Sequence, residues 1–300
     1  MGDASGAAAP LVVGRRWLTT RHAIDLSRPL VMGIVNVTPD SFSDGGQHAR
    51  HGAAVALCER LLRDGADILD IGGASSRPGA APVPAEVEAG RVLPVLRAAV
   101  KLGVPVSVDT FQPDVMRAAL GIGVDIVNDI RALQVPGALQ VVAQQGRCGV
   151  CLMHMRGEPA SMQQSTDYGD VVREVGAFLA ERAGHAQAAG VEAARIVLDP
   201  GIGFGKSMRD NLLLLERQQE LLALGWPLLV GWSRKSTLGA LTGREPQDRL
   251  AASVAAALAA VQRGAAIVRV HDVAQTVDAL RVWRAAGLGV AQCPSPTPNP

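Results

Sequence analysis

A chain of 300 residues and 31.2 kDa has room for one α/β barrel, which typically occupies about 250 residues, and shows no linker that would divide it into two domains. Hydrophobic residues make up 48% of it and aromatic residues 3%, so the core has to be assembled from Ala, Val, Leu and Ile. The formal net charge of +1 excludes a general attraction to nucleic acid or an anionic membrane and leaves any anion affinity to a local cluster.

Residues 1–28 read as an N-terminal extension, expected to be partly disordered. The basic pair Arg15 and Arg16 follows the short apolar stretch instead of preceding it, the wrong order for a secretory signal, and Gly6 breaks the myristoylation pattern. No apolar run reaches the roughly 18 residues of a membrane span; the Ala-rich stretch ending at Val261 is cut by Gln262 and Arg263. The expectation is a cytoplasmic protein with no membrane partner.

From residue 29 to 287 a short run of Val, Ile or Leu repeatedly ends in a polar or Gly-containing turn and is followed by a helix-compatible segment. The runs are VMGIV before Asn36, DILDIGG around Asp70, PVSVDT ending near Asp109, DIVNDI around Asn128, GVCLMHM ending near Met155, RIVLDPG around Asp199, PLLVGWS ending near Ser233 and AIVRVHD ending near Asp272. Cys148 and Cys151 form a lone CxxC beside the fifth run; without a second pair they read as ordinary thiols, not a zinc site. Helices are expected over 51–64, 87–101, 171–189, 209–223, 248–263 and 273–286, where apolar faces combine with strong helix formers. Residues 288–300 form a Pro-rich tail, expected to be disordered.

About eight such units predict an α/β fold, a single (β/α)8 TIM barrel with its active site at the C-terminal ends of the strands. An open doubly wound sheet alternates in the same way. Closure is favoured by where the unusual residues fall. Asn36, Ser76 with Arg77, Asp109, Asn128, Met153, Asp199, Ser233 with Lys235, and Arg269 with His271 all lie at strand C-terminal ends, which converge on one mouth only in a barrel.

Asp109 and Asp199 each follow an apolar strand into a turn, where a carboxylate held out of bulk water needs N–H donors. Taken singly, either is most simply a cap. Together with Asn128 they can bind the amino and ring N–H groups of a flat heterocycle while the amide reads a neighbouring acceptor. Lys235 stands at a helix start, where a cation is disfavoured unless an anion or acceptor shares the site, and Ser233 adds a donor. Arg269 and His271, two apart on one strand, face the same side and read as an anion clamp for diphosphate. The loop NVTPDSFSDGG, with Phe42, and the loop GGASSRPGAAPVP, with Arg77, read as mobile covers over the mouth.

The segments MGIVNVTPDSFSDGG (Met32 to Gly46), LDPGIGFGK and SRKS resemble the dihydropteroate synthase family of pterin-binding enzymes, in the same order from about Pro29 to Trp283. The resemblance implies a transferase of folate biosynthesis that joins 4-aminobenzoate to the methylene carbon of 6-hydroxymethyl-7,8-dihydropterin diphosphate, assisted by Mg2+, in a homodimer that sulfonamides target. By motif it implies that Asp109, Asn128, Asp199 and Lys235 hold the pterin, with Met153, Phe204 and Arg269 packing near it. Asn36, Arg269 and His271 would hold the diphosphate, Asn36 also lying near the metal. Ser76, Arg77 and Ser233 would form the aminobenzoate site with the loops, to which Phe42 and Asp44 belong. Asp109, Lys235, Arg269 and Asn36 are the expected catalytic set. The implied chemistry is dissociative: C–O cleavage leads, Asp109 stabilises the positive charge, and the neutral arylamine attacks without a strong base. Ala74, Ser76 and Trp232 depart from the family's usual residues. The rival readings are a pterin-dependent methyltransferase, which lacks need of a diphosphate clamp, and a noncatalytic pterin-binding paralogue.

Overall fold

The computed structural model describes residues 16–38, 47–75, 79–158, 162 and 166–288. After a short antiparallel hairpin, β1 (Arg16–Leu18) and β2 (Ala23–Asp25), the chain alternates strands and helices. The order is β3 (Leu30–Asn36), α1 (Gln47–Arg63), β4 (Ile68–Gly72), α2 (Ala85–Ala99), β5 (Val106–Asp109), α3 (Pro113–Ile122), β6 (Ile126–Asp129), α4 (Ala138–Gln145) and β7 (Gly149–Met153). It continues with α5 (Val171–Ala188), β8 (Ile196–Asp199), α6 (Met208–Glu216), α7 (Gln218–Leu222), β9 (Leu229–Val230), α8 (Ser236–Thr242), α9 (Leu250–Gln262), β10 (Ile267–Val270) and α10 (Val273–Ala285).

Strands β3 to β10 form one eight-stranded parallel sheet in the order β8-β7-β6-β5-β4-β3-β10-β9. A parallel bridge between Leu198 and Leu228 brings the two ends together, so the expected barrel is nearly closed.

Alternation along each strand sorts the apolar residues into two cores. Val31, Val35, Leu69, Ile71, Val106, Val108, Val127, Val150, Leu152, Leu198 and Val268 face outward and pack against the helices. Leu30, Met32, Ile68, Ile126, Cys151, Val197, Leu229 and Ile267 fill the lumen together with Trp17 and Ile24 of the hairpin.

Residues 16–25 therefore belong to the barrel's packing, although the sequence reading placed them in the extension ending at residue 28. Trp17 is wholly buried and its Nε1 donates to the Arg195 carbonyl at 2.8 Å. Arg21 grips the buried Asp125, donating from N and Nε to Oδ1 at 3.0 and 3.1 Å. The helix expected over 209–223 is two helices, broken at Arg217 (φ −101°, ψ 20°), whose guanidinium is shared by Asp170 and Glu220. Helices α3, α4 and α8 went unread: α4 and α8 span only eight and seven residues, too few for an apolar face to repeat, whereas α3 buries Val115, Met116, Ala119 and Leu120 along one face and was legible.

Candidate active site

Further along the lumen-facing positions, past the apolar layer, the residues turn polar: Asn36 on β3, Asp70 on β4, Asp109 on β5, Asn128 on β6, Asp199 on β8 and Arg269 on β10. Register sets them side by side, with Gly72 opposite Asp109, Asp109 opposite Asn128 and Met153 opposite Asp199. Gly72 leaves room for this: a Cβ there would stand 3.3 Å from the Asp109 Cβ. Asn36, Asp109, Asn128, Met153, Asp199, Phe204, Ser233, Lys235, Arg269 and His271, ten of the residues singled out from sequence, line one cavity of about 650 Å³. Phe42, Asp44, Ser76 and Arg77 lie outside the described residues.

Arg269 is the electrostatic centre. Its Nε donates to Asp70 Oδ2 and its Nη2 to Asp109 Oδ2, both at 2.6 Å, and the Asn128 amide donates to the same Asp70 oxygen at 3.1 Å. Burial opposes the guanidinium charge, but Asp70 and Asp109 outweigh it and keep Arg269 protonated. Burial pushes Asp109 up to about 7, with Arg269 opposing and Asp70 and Glu88 adding to the rise. Asp199 is also raised by burial, against the Gly201 N–H that reaches its Oδ1 at 2.7 Å and against Lys235.

Burial pushes Lys235 down to about 8, Asp199 opposing, and its ammonium stands 4.2 Å from the Phe204 ring centroid. His271 is held down to about 3 by burial and by Arg234 and Arg269, so the imidazole is neutral and Arg269 alone carries the charge of the expected anion clamp. The Ser233 Oγ accepts from the His271 N–H at 3.2 Å and lies 3.0 Å from Nδ1, to which its proton can be given. Met153, Phe204, Ile130 and Met162 supply an apolar wall. Acceptors at Asp109 and Asp199, donors at Asn128 and Lys235 and this wall suit a flat, nitrogen-rich ring, and the carboxylates suit a cation developing on it.

The sequence pattern of the pterin binding enzyme family matches residues 32–271. Dihydropteroate synthase of Neisseria meningitidis serogroup B is 51% identical over 280 residues, covering 91% of this chain and 98% of that protein. The Escherichia coli K12 dihydropteroate synthase is 48% identical over 264 residues, covering 88% and 93%. Among solved structures, Xanthomonas albilineans dihydropteroate synthase in complex with 7,8-dihydropteroate matches with a TM-score of 0.81 at 51% identity, covering 92% of this chain and 97% of that one.

The chain belongs to the dihydropteroate synthase family.

Several residues of this dihydropteroate synthase fold escaped the sequence reading. Asp70 sat in plain view as a charge inside an apolar strand, two residues before Gly72 on the same face. Lys206 closes the family's DPGIGFGK segment yet points into protein, 2% exposed, donating to the Gly201 and Phe204 carbonyls at 2.9 and 3.0 Å and meeting His154 Nδ1 at 2.9 Å. Burial pushes Lys206 down to about 7, and burial with Lys206 and Arg156 pushes His154 down to about 2. Asn211 accepts the Gly203 N–H at 2.7 Å and donates to Thr237 Oγ1 at 3.0 Å, tying the glycine loop to α8. No pattern in the sequence marks these partners, because their meaning lies in contacts between segments. Of the departures from the family's usual residues, Ala74 lines the cavity, whereas Trp232 is buried in the outer core.

Proposed function

We infer that this chain catalyses the condensation of 6-hydroxymethyl-7,8-dihydropterin diphosphate with 4-aminobenzoate to 7,8-dihydropteroate, releasing diphosphate, as a transferase of folate biosynthesis. The observation that carries the reading is the convergence of Asp109, Asn128, Asp199, Lys235 and Arg269 on one cavity. The Xanthomonas albilineans relative bound to 7,8-dihydropteroate supports it. Asp109, Asn128, Asp199 and Lys235 bind the pterin edge, Met153 and Phe204 its face, and Arg269 with Asn36 and neutral His271 the diphosphate. Ser233 faces 4-aminobenzoate together with the two loops carrying Phe42, Asp44, Ser76 and Arg77.

As C–O cleavage leads, positive charge spreads into the dihydropterin, and Asp109 and Asp199 stabilise it in a site where charges interact more strongly than in water. The neutral arylamine then attacks the methylene from a fixed orientation, which needs no strong base. Among the described residues no group of three or more His, Cys, Asp or Glu could cage a metal. Mg2+ keeps several waters and is bound chiefly through substrate phosphates, and Asn36, which lines the cavity, would add an amide oxygen to it. When bound, the ion supplies charge neutralisation to the leaving diphosphate. A cytoplasmic location, a homodimer and binding of sulfonamides belong to the same reading and rest on family likeness.

The test is diphosphate release by the purified chain given pterin diphosphate, 4-aminobenzoate and Mg2+, with product followed by mass spectrometry. Product that requires all three components is expected. Pterin diphosphate binding without product would replace the reading by a noncatalytic paralogue, and no binding would remove the pterin site altogether.

A further inference from the structure

The turn that carries Ser233 and Lys235 into the cavity is bent through Arg234, whose φ of +59° is one that L side chains rarely adopt. A strained residue persists only where its surroundings over-determine it, and here three groups do so. The Arg234 N–H donates to Ser253 Oγ at 3.0 Å, and the Arg234 carbonyl accepts from Arg249 Nη1 at 3.0 Å. The same nitrogen reaches the Lys235 carbonyl at 3.3 Å, while Arg249 Nε donates to the Arg244 carbonyl at 2.8 Å. Ser253 is itself oriented by donating to the Arg249 carbonyl at 2.7 Å. The third group is Asp272, which takes Arg234 Nη2 at 2.6 Å and Nε at 3.2 Å.

The Arg249 guanidinium lies flat on α8 at Gly239, where an added Cβ would fall 2.2 Å from Nη2, so that glycine is the seat of the clamp. Ser253 of α9 and Arg249 just before it hold the N–H and the carbonyl of Arg234 and the carbonyl of Lys235, and Arg249 lines the same cavity as Lys235.

We propose that Arg249 and Ser253 are positioning residues for the reaction: they hold the Arg234 turn in its left-handed form and thereby aim Lys235 at the substrate. This rests on the pterin-binding reading of the cavity. Released from the clamp, the turn relaxes to negative φ and Lys235 swings off its aim, so the loss appears in substrate affinity and turnover through Lys235 and not as a general loosening of the barrel.

A double-mutant cycle separates the two possibilities, because residues that act through one another do not add. Affinity for pterin diphosphate is measured by calorimetry in the parent protein, Arg249→Ala, Lys235→Ala and the double variant, and the same set is repeated with Ser253→Ala, a milder change that keeps the guanidinium. The expected result is about a tenfold loss from Arg249→Ala in the parent, the scale of one charge-assisted hydrogen bond, and less than about twofold when Lys235 is already absent. Gly239→Ala, which dislodges the guanidinium without removing a polar group, should copy Arg249→Ala. Equal losses in both backgrounds, or no loss from either Arg249→Ala or Ser253→Ala in folded protein, would overturn the proposal while leaving the pterin reading intact. Absence of binding by the parent protein would overturn both.

Discussion

Arg269, Asp70 and Asp109 show how one residue's chemistry depends on its neighbours. A guanidinium shared by two carboxylates at 2.6 Å keeps its charge while burial lifts Asp109 toward neutrality. Asp109 must be ionised to stabilise a cation, and Lys235 must be protonated to donate. With Asp109 at about 7 and Lys235 at about 8, kcat/KM for pterin diphosphate is expected to follow a narrow bell, its acid limb set by Asp109 and its alkaline limb by Lys235. Lys235→Arg should move the alkaline limb beyond the measurable range, since Arg does not titrate there; an unmoved limb would assign it to another group. His154 bears on stability instead. Its folded value, about 2, lies below its unfolded value of 6.5, so its contribution is complete above pH 6.5 and is lost as pH falls toward 2. Between pH 8 and pH 5 the parent should therefore lose about 2 kcal/mol relative to His154→Gln in urea titrations, and parallel pH curves would contradict this.

At the scale of elements, the glycine loop after β8 is built by close approach. Gly201 has φ +67° and an added Cβ would sit 1.9 Å from the His154 carbonyl, so Gly201→Ala should destabilise the protein by roughly 3 kcal/mol or more. Gly184 is the internal contrast: exposed within α5 with nothing within 4 Å, it should gain roughly 0.5–1 kcal/mol as Gly184→Ala. Equal urea midpoints for the two variants would refute the loop argument. The N-terminal hairpin is a second element whose worth comes from placement. Trp17→Ala should cost about 3–5 kcal/mol, since it empties the end of the lumen and strands the Arg195 carbonyl. A loss below about 1 kcal/mol by thermal or urea unfolding would mean that the hairpin is a loose appendage.

For the whole molecule, α9 is a helix with one face in the core and one toward solvent. Its Ala251, Ala255 and Gln262 are exposed while Ser253, Ala256, Ala257, Ala260 and Val261 are buried, and Leu241 and Leu250 nearby are 53% and 37% exposed. Small residues along an exposed helical face permit close approach of a second copy, in keeping with the proposed homodimer. Light scattering at micromolar concentration is expected to return twice 31.2 kDa; a mass of one chain would discard the dimer. If the dimer forms, the helix that clamps the Arg234 turn is also the helix at the interface.

Much of this protein was legible along the chain. Strand positions, the barrel and the lumen-facing Asn36, Asp109, Asn128, Asp199 and Arg269 follow from a period-two alternation that puts polar side chains at the far ends of apolar runs, whereas Lys235 was read from its place at a helix start and Phe204 only from the family's motif. The motif segments gave the family. What the chain alone could not give is every feature that depends on which segments meet. Asp70 acquires its role from Arg269, 199 residues away, and Lys206 from the loop it folds back upon. Arg249 matters because Gly239 lies beneath it, and Trp17 because Gly149 and Arg195 stand around it. Local pattern fixes the direction in which a side chain points; only the closed barrel decides what it meets there, and hydrogen bonding and burial take their energies from that meeting.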